Sequence, residues 1–284
     1  MAIGLAQRLR LRIYGRESMF PERASYPEGS PQWVLRNIVK AHLSLRLMIG
    51  TVAILFPFVL LAIGSAFGLD IPGSISEYYW YPSAESDAPV RVFFIGGLYA
   101  IGAFLIGYRG YTKGENWLHT LAGLCAICVA TLPMVQDSHA DTIACYGNIL
   151  YGHPNIHGGC AAGIFIFLAI AIFKYSDITL NQFGNPQFER VLRRIYYFLA
   201  GSMIVLPLLI IMVIKGFLDP FFTALRMNEN PYTVYLIEIA AIVPFGLFWF
   251  IKTAEISLSE FDRKIEEGVA LSQPTPTEIG GNKA

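Results

Sequence analysis

The sequence predicts an all-α polytopic membrane protein: a bundle of six transmembrane helices with both termini in the cytoplasm. Three observations lead there. Hydrophobic residues make up 54% of the 284 positions and charged residues 15%, against the roughly 25% charged fraction of soluble domains. The mean hydropathy is +0.48, and the apolar residues fall into separate blocks of about 18 to 25, enough to cross a hydrocarbon core of about 30 Å. Lys and Arg gather in alternate connections between the blocks, the pattern that retention of cations on the cytoplasmic side produces.

Six blocks read as spans: Leu47 to Leu69, Val92 to Tyr108, Trp117 to Val135, Ile156 to Phe173, Ile195 to Lys215, and Tyr232 to Ile251. Arg23, Arg36, Lys40 and Arg46 precede the first, Arg109 and Lys113 join the second to the third, and Lys174, Arg190, Arg193 and Arg194 join the fourth to the fifth. These segments are expected inside. The first-to-second connection carries Asp70, Glu77, Glu85 and Asp87, and the third-to-fourth carries Asp137 and Asp141 without Lys or Arg. These are expected outside. The fifth-to-sixth loop is mixed and poorer in cations than its cytoplasmic counterparts.

The chain therefore divides into a basic cytoplasmic N-terminal segment (1–46), a six-helix transmembrane domain (47–252), and a cytoplasmic tail (253–284) expected to be disordered at its end, where Pro274, Pro276 and paired glycines accumulate. Residues Ala2 to Tyr14 read equally as a basic amphipathic helix on the inner leaflet or as a frayed tail. Arg8, Arg10, Arg12 and Arg16 interrupt the early apolar residues, so no secretory h-region is expected and the first span anchors the chain. With net charge zero and cations confined to short segments, nothing suggests a nucleic-acid partner.

Within the spans, small residues recur at helical spacing: Gly96, Ala100, Ala103 and Gly107; Ala122, Ala126 and Ala130; and Gly158, Gly159, Ala162 and Gly163. Such stripes mark close helix contacts in lipid, which puts spans two to four at the tight centre of the bundle. Pro57, Pro207 and Pro244 inside spans are expected to kink them. Cys125 and Cys128 read as small packing residues, whereas Cys145 and Cys160 are near enough in sequence for a disulfide in an oxidising outer compartment.

Chemistry collects at the outer end. Glu238 lies inside the sixth span with apolar neighbours on both sides, and a carboxyl at that depth needs a partner in the bundle or a hydrated cavity. The expected partners are Arg91, Lys215 and His157. The first outer loop offers Ser74, Ser76 and Glu77 beside an aromatic run, Tyr78 to Tyr81, of the kind that anchors at headgroup depth. The third-to-fourth segment carries Asp137, Ser138, His139, Asp141, His153 and His157. His139, His153 and His157 are candidate zinc ligands, since three imidazoles with a carboxylate can build a tetrahedral site, although no HExxH pattern is present. The expectation is no cofactor, with these histidines bonded to loop carbonyls. His119 is expected to pack or cap near the cytoplasm.

The runs Pro72-Gly-Ser-Ile-Ser-Glu-Tyr-Tyr-Trp, Arg91-Val-Phe-Phe-Ile-Gly-Gly, Arg109-Gly-Tyr and Leu121-Ala-Gly-Leu, with His157 opening the fourth span, resemble an uncharacterised family of bacterial six-helix membrane proteins. That family is distantly similar to the Frag1/DRAM/Sfk1 group and, more weakly, to the CREST membrane hydrolases. The resemblance implies a six-span bundle in the bacterial inner membrane, lipid-related work at the outer leaflet and, by analogy with CREST enzymes, a serine, an aspartate and three histidines around zinc.

The reading is thus an outward-facing polar cavity lined by Ser74, Ser76, Glu77, Arg91, Asp137, His139, His157 and Glu238, which binds or modifies a lipid headgroup. Membrane lipids are the expected partners, and a homo-oligomer is left open. A proton-coupled or small-molecule transporter and a structural or assembly subunit are the alternatives.

Overall fold

The structure, a computed structural model, describes residues 27–80, 89–132, 154–180, 186–214, 216 and 232–258. Every regular element among them is helical: α1 (Pro31–Ala66), a 3₁₀ turn (Ile75–Trp80), α2 (Val90–Gly107), α3 (Lys113–Thr131), α4 (Pro154–Tyr175), the short α5 (Asp177–Leu180), α6 (Pro186–Val213) and α7 (Thr233–Leu258). The N-terminal segment Ala2 to Tyr14, read equally as an amphipathic helix or a frayed tail, the tail after Leu258, and the positions Asp137, Ser138, His139, Asp141, Cys145, His153 and Lys215 lie outside the described residues.

Five helices, α1, α2, α4, α6 and α7, are long and apolar enough to cross a membrane. Their outer faces agree with that solvent, because side chains such as Val92, Phe198 and Leu208 are 70%, 72% and 59% exposed. The helix expected as the third span is present as α3, but Lys113, Glu115, Asn116 and His119 fill its first two turns, and the apolar residues 133–135 expected at its far end are not described.

Two helices outrun the spans read from hydropathy. α1 begins at Pro31 rather than near Leu47, and α6 at Pro186 rather than Ile195. Hydropathy marks the stretch suited to hydrocarbon, whereas the helix continues through Arg36, Lys40, Arg190 and Arg193, residues that favour it in water as well.

Residues 1–38 with 265–284 cluster as one unit and 39–264 as another. Of the first unit, residues 27–38 are described. They form a turn through Gly29 (φ 81°), after which Ser30 Oγ accepts the Trp33 N–H at 3.2 Å and Pro31 takes the first helical position, the usual chemistry of a helix start.

Within the second unit, α3 packs between α2 and α4, and α6 lies against α4 and α7. Between α2 and α3 backbone meets backbone: a Cβ on Gly123 would stand 2.6 Å from the Gly102 carbonyl oxygen, and one on Gly102 would stand 2.9 Å from that of Gly123. Buried Ala122, Ala126 and Ala130 extend the contact. The expected stripes on the neighbouring helices are met in part: a Cβ on Gly163 would stand 3.1 Å from Cys125 Sγ of α3, whereas Gly96, Gly107, Gly158 and Gly159 would meet nothing within 4 Å. The three described cysteines are free, and the Cys160 thiol neighbours both Cys125 and Cys128 across the α3/α4 interface.

α1 stops in a Schellman turn: Gly68 (φ 73°) donates to Ser65 O at 3.1 Å and Leu69 to Gly64 O at 3.0 Å. The reversal folds residues 69–80 back over the bundle. Tyr78 packs on Gly64, where a Cβ would stand 3.2 Å from the ring, and the Tyr235 N–H of α7 donates to Gly73 O at 2.8 Å. This re-entrant turn positions the candidate site.

Candidate functional site

The turn that covers α7 is held by its own sequence. Ser74 Oγ accepts the Glu77 N–H at 3.3 Å while Glu77 Oε2 reaches past Ser74 to accept the Gly73 N–H at 2.9 Å, a relative of the capping box in which the glutamate bonds one residue further back. Ser74 and Glu77 therefore fix the turn. Ser76, between them, points the other way.

Glu238, on the second turn of α7, meets that turn. Its Oε2 accepts the Ile75 N–H at 2.5 Å and its Oε1 accepts the Ser76 hydroxyl at 3.2 Å. On the far side of Ser76, the Nε2 of His157 lies 3.0 Å from Oγ, and His157 Nδ1 donates to the Leu132 carbonyl at 2.6 Å. A chain of contacts thus runs from α7 through the turn to α4 and the end of α3. His157 lies in the first turn of α4, which Pro154 opens with a φ already suited to a helix start.

Arg91 takes no part in this chain. It is exposed at the start of α2, with its guanidinium 4.4 Å from the centre of the Tyr79 ring, a cation–π contact at the bundle edge. Of the eight residues expected to line one cavity, the structure brings together Ser76, His157 and Glu238. It gives Ser74 and Glu77 to the turn and leaves Arg91 outside, while Asp137 and His139 are not described.

Below Ser76 and Glu238 a cavity of about 80 Å³ runs into the bundle, several times the ~10–15 Å³ that one water needs. α1, α2, α3, α4 and α7 all contribute to its wall, and the described residues lining it are apolar apart from Ser76 and Glu238. It is an apolar chamber with one polar end. Phe56, Phe94 and Phe245 form part of the apolar side, and Ala126 and Ala161 leave the space that larger residues would fill.

A second polar cluster, toward the other end of α7, was not among the expected sites. Lys252 Nζ donates to Glu255 Oε2 at 2.9 Å, to the Ser176 carbonyl at 3.1 Å and to Thr179 Oγ1, and the Tyr196 hydroxyl donates to the same Glu255 oxygen. Arg46, fully buried, donates from Nη2 to the Tyr108 hydroxyl at 2.8 Å, which faces Glu115 Oε1 at 3.5 Å. His119 bonds the Glu115 carbonyl through Nδ1 at 2.8 Å and packs against Tyr108 and Trp249. Arg46 had the look of one more cytoplasmic cation. The available signal was aromatic, because Tyr108, Tyr111 and Trp249 are the kind of residues that shield a buried guanidinium.

Comparison with known proteins leaves this geometry to stand by itself: no family model, curated protein or solved structure matches the chain.

Proposed function

We propose that the chain is a six-span protein of the cell membrane, with both ends cytoplasmic, that binds an amphipathic lipid with a hydrocarbon chain in the cavity and the headgroup at Ser76, Glu238 and His157. One observation carries the reading: an apolar chamber inside the bundle ends in the Glu238 carboxyl and the Ser76 hydroxyl, bonded to each other, with the His157 imidazole against the same hydroxyl from behind it. Apolar walls with a few convergent polar groups are the common form of a small-molecule site. The resemblance to bacterial six-helix membrane proteins, with lipid-related work at the outer leaflet of an inner membrane, belongs to the same proposal.

A phospholipid carrying a photoreactive group in its acyl chain tests it. Cross-links should map to the cavity wall near Ala161 and Ile164, and Ala126→Phe, which fills the chamber without touching the polar end, should cut that labelling by at least about tenfold, the equivalent of ~1.4 kcal/mol. Labelling confined to outer helix faces and indifferent to Ala126→Phe would remove the reading.

Hydrolysis is the second reading, favoured by the 3.0 Å separation of Ser76 Oγ and His157 Nε2, the spacing of a nucleophile and its base. In that version the zinc centre expected at His139, His153 and His157 would draw on His139 and His153, with His157 serving Ser76 as base instead. Binding without hydrolysis instead expects less than one zinc per chain in protein purified without chelators. One zinc per chain that is lost on His153→Ala would put hydrolysis first.

A further inference from the structure

Counting donors and acceptors across the polar end of the cavity gives a result that lipid binding does not require. The Leu132 carbonyl only accepts, so its 2.6 Å contact places a proton on His157 Nδ1. The Ser76 hydroxyl has one proton to give and two neighbours to satisfy, Glu238 Oε1 at 3.2 Å and His157 Nε2 at 3.0 Å. If Ser76 donates to Glu238, the contact with His157 is a hydrogen bond only when Nε2 carries its own proton, which makes the ring an imidazolium. If Ser76 donates to Nε2, Glu238 Oε1 must carry a proton and donate to Ser76. A carboxylate beside a neutral ring fails in both arrangements, because lone pairs then face each other across one of the two contacts.

We infer that Glu238, Ser76 and His157 form a proton-relay site that holds one exchangeable proton at the polar end of the cavity. Transfer between its two forms balances within the site. The Glu238 Oε1–H bond breaks as that proton bonds to Ser76 Oγ, and the original Ser76 O–H bond breaks as Nε2–H forms. The products are a carboxylate, an unchanged serine and an imidazolium, and the reverse step runs through the same two hydrogen bonds. A dry chamber favours the neutral form, since separated charges are costly in apolar surroundings, whereas water or a polar headgroup favours the ion pair. Occupancy of the cavity is thereby coupled to the position of the proton, a consequence that rests on the lipid-binding reading although the proton count does not.

Few other groups bear on it. Glu77, in the same turn, has its Oε2 taken by the Gly73 N–H. Tyr235 of α7 donates its hydroxyl to the Pro57 carbonyl at 3.5 Å, and Arg91 of α2 lies over Tyr79. The residues that α1, α3 and α4 contribute to the cavity wall are apolar.

The test uses full-length protein in detergent, stripped of lipid and held at neutral pH. Infrared spectroscopy reads a protonated carboxyl through its carbonyl band, and ¹⁵N resonances read the His157 ring, with Glu238→Gln and His157→Gln for assignment. The expected result is one proton per site: either a carboxylic acid with a neutral ring or a carboxylate with an imidazolium. Glu238→Gln keeps an oxygen for Ile75 and an amide N–H for Ser76, so it should fold with a neutral His157 and one titratable proton fewer. A carboxylate beside a neutral ring in the unaltered protein overturns the inference, as does protonation of both groups. Because no lipid is present, failure of lipid binding in the cross-linking experiment leaves this measurement unaffected.

Discussion

Glu238 shows how far a single residue can be read. Its depth in an apolar run made a partner obligatory, and the sequence put His157 and Ser76 at the same end of the bundle. What it did not contain was the direction of each side chain in the turn at 74–77, where alternate residues serve different ends: Ser74 and Glu77 bond the turn itself, and Ser76 bonds Glu238. Arg91 was expected as the counter-charge because it shares that depth, yet it opens α2 on the exposed side and rests on Tyr79. These contacts order three substitutions. Glu238→Ala should be the most damaging, because it leaves the Ile75 N–H without its acceptor, at about 1–3 kcal/mol for a buried group so stranded, and takes from Ser76 one of its two partners. Glu238→Gln should cost clearly less, and Arg91→Ala no more than the ~0.5–1 kcal/mol of an exposed cation–π contact. Thermal unfolding in one detergent ranks them, and an Arg91→Ala loss as large as that of Glu238→Ala would mean that the guanidinium does reach the buried carboxyl.

At the scale of the element, helix existence was legible and helix faces only in part. The blocks found by hydropathy all contain helices, because twenty apolar residues in lipid must satisfy their own backbone. Which face of each helix meets a neighbour depends on packing, and there the stripes held for Ala122, Ala126, Ala130 and Gly163 but not in the second span, where Gly96 and Gly107 are open and Gly102 makes the contact with Gly123. Gly123→Ala should therefore destabilise by about 1–3 kcal/mol, the usual cost of overpacking, while Gly96→Ala should be neutral or slightly stabilising, since alanine favours helix. Equal effects in chemical unfolding would remove the α2/α3 backbone contact from the explanation. α7 carries a second test, because Lys252 and Glu255 are both buried and bonded to each other. Lys252→Met leaves Glu255 as an uncompensated buried charge, a loss of about 3–5 kcal/mol. Adding Glu255→Gln, which still accepts from Tyr196, should recover part of that loss. A double-mutant cycle with no coupling would show that the two residues act separately.

For the whole molecule the open quantity is the number of crossings, and it turns on α3. Among the described residues five helices are apolar enough to span, and a five-span chain would put its two ends on opposite sides of the membrane. Two physical arguments favour six. α3 runs from Lys113 to Thr131, which at about 1.5 Å per residue is close to the ~30 Å of hydrocarbon. It also packs between two helices that are themselves apolar enough to span, with Gly123 on the Gly102 backbone and its buried alanines facing inward, a position that a helix lying on the membrane surface does not reach. Its polar residues collect in its first two turns, on the side where Arg109 and Lys113 already predict cytoplasm. Two cysteine positions then separate the alternatives. With Cys125, Cys128 and Cys160 replaced by alanine, native Cys145 follows α3 and an introduced Arg109→Cys precedes it. If α3 crosses, an impermeant thiol reagent applied to reduced, intact cells should modify Cys145 and reach Arg109→Cys only after permeabilisation. Labelling of both from the same side would place α3 outside the set of spans, and with it the assignment of both termini to the cytoplasm.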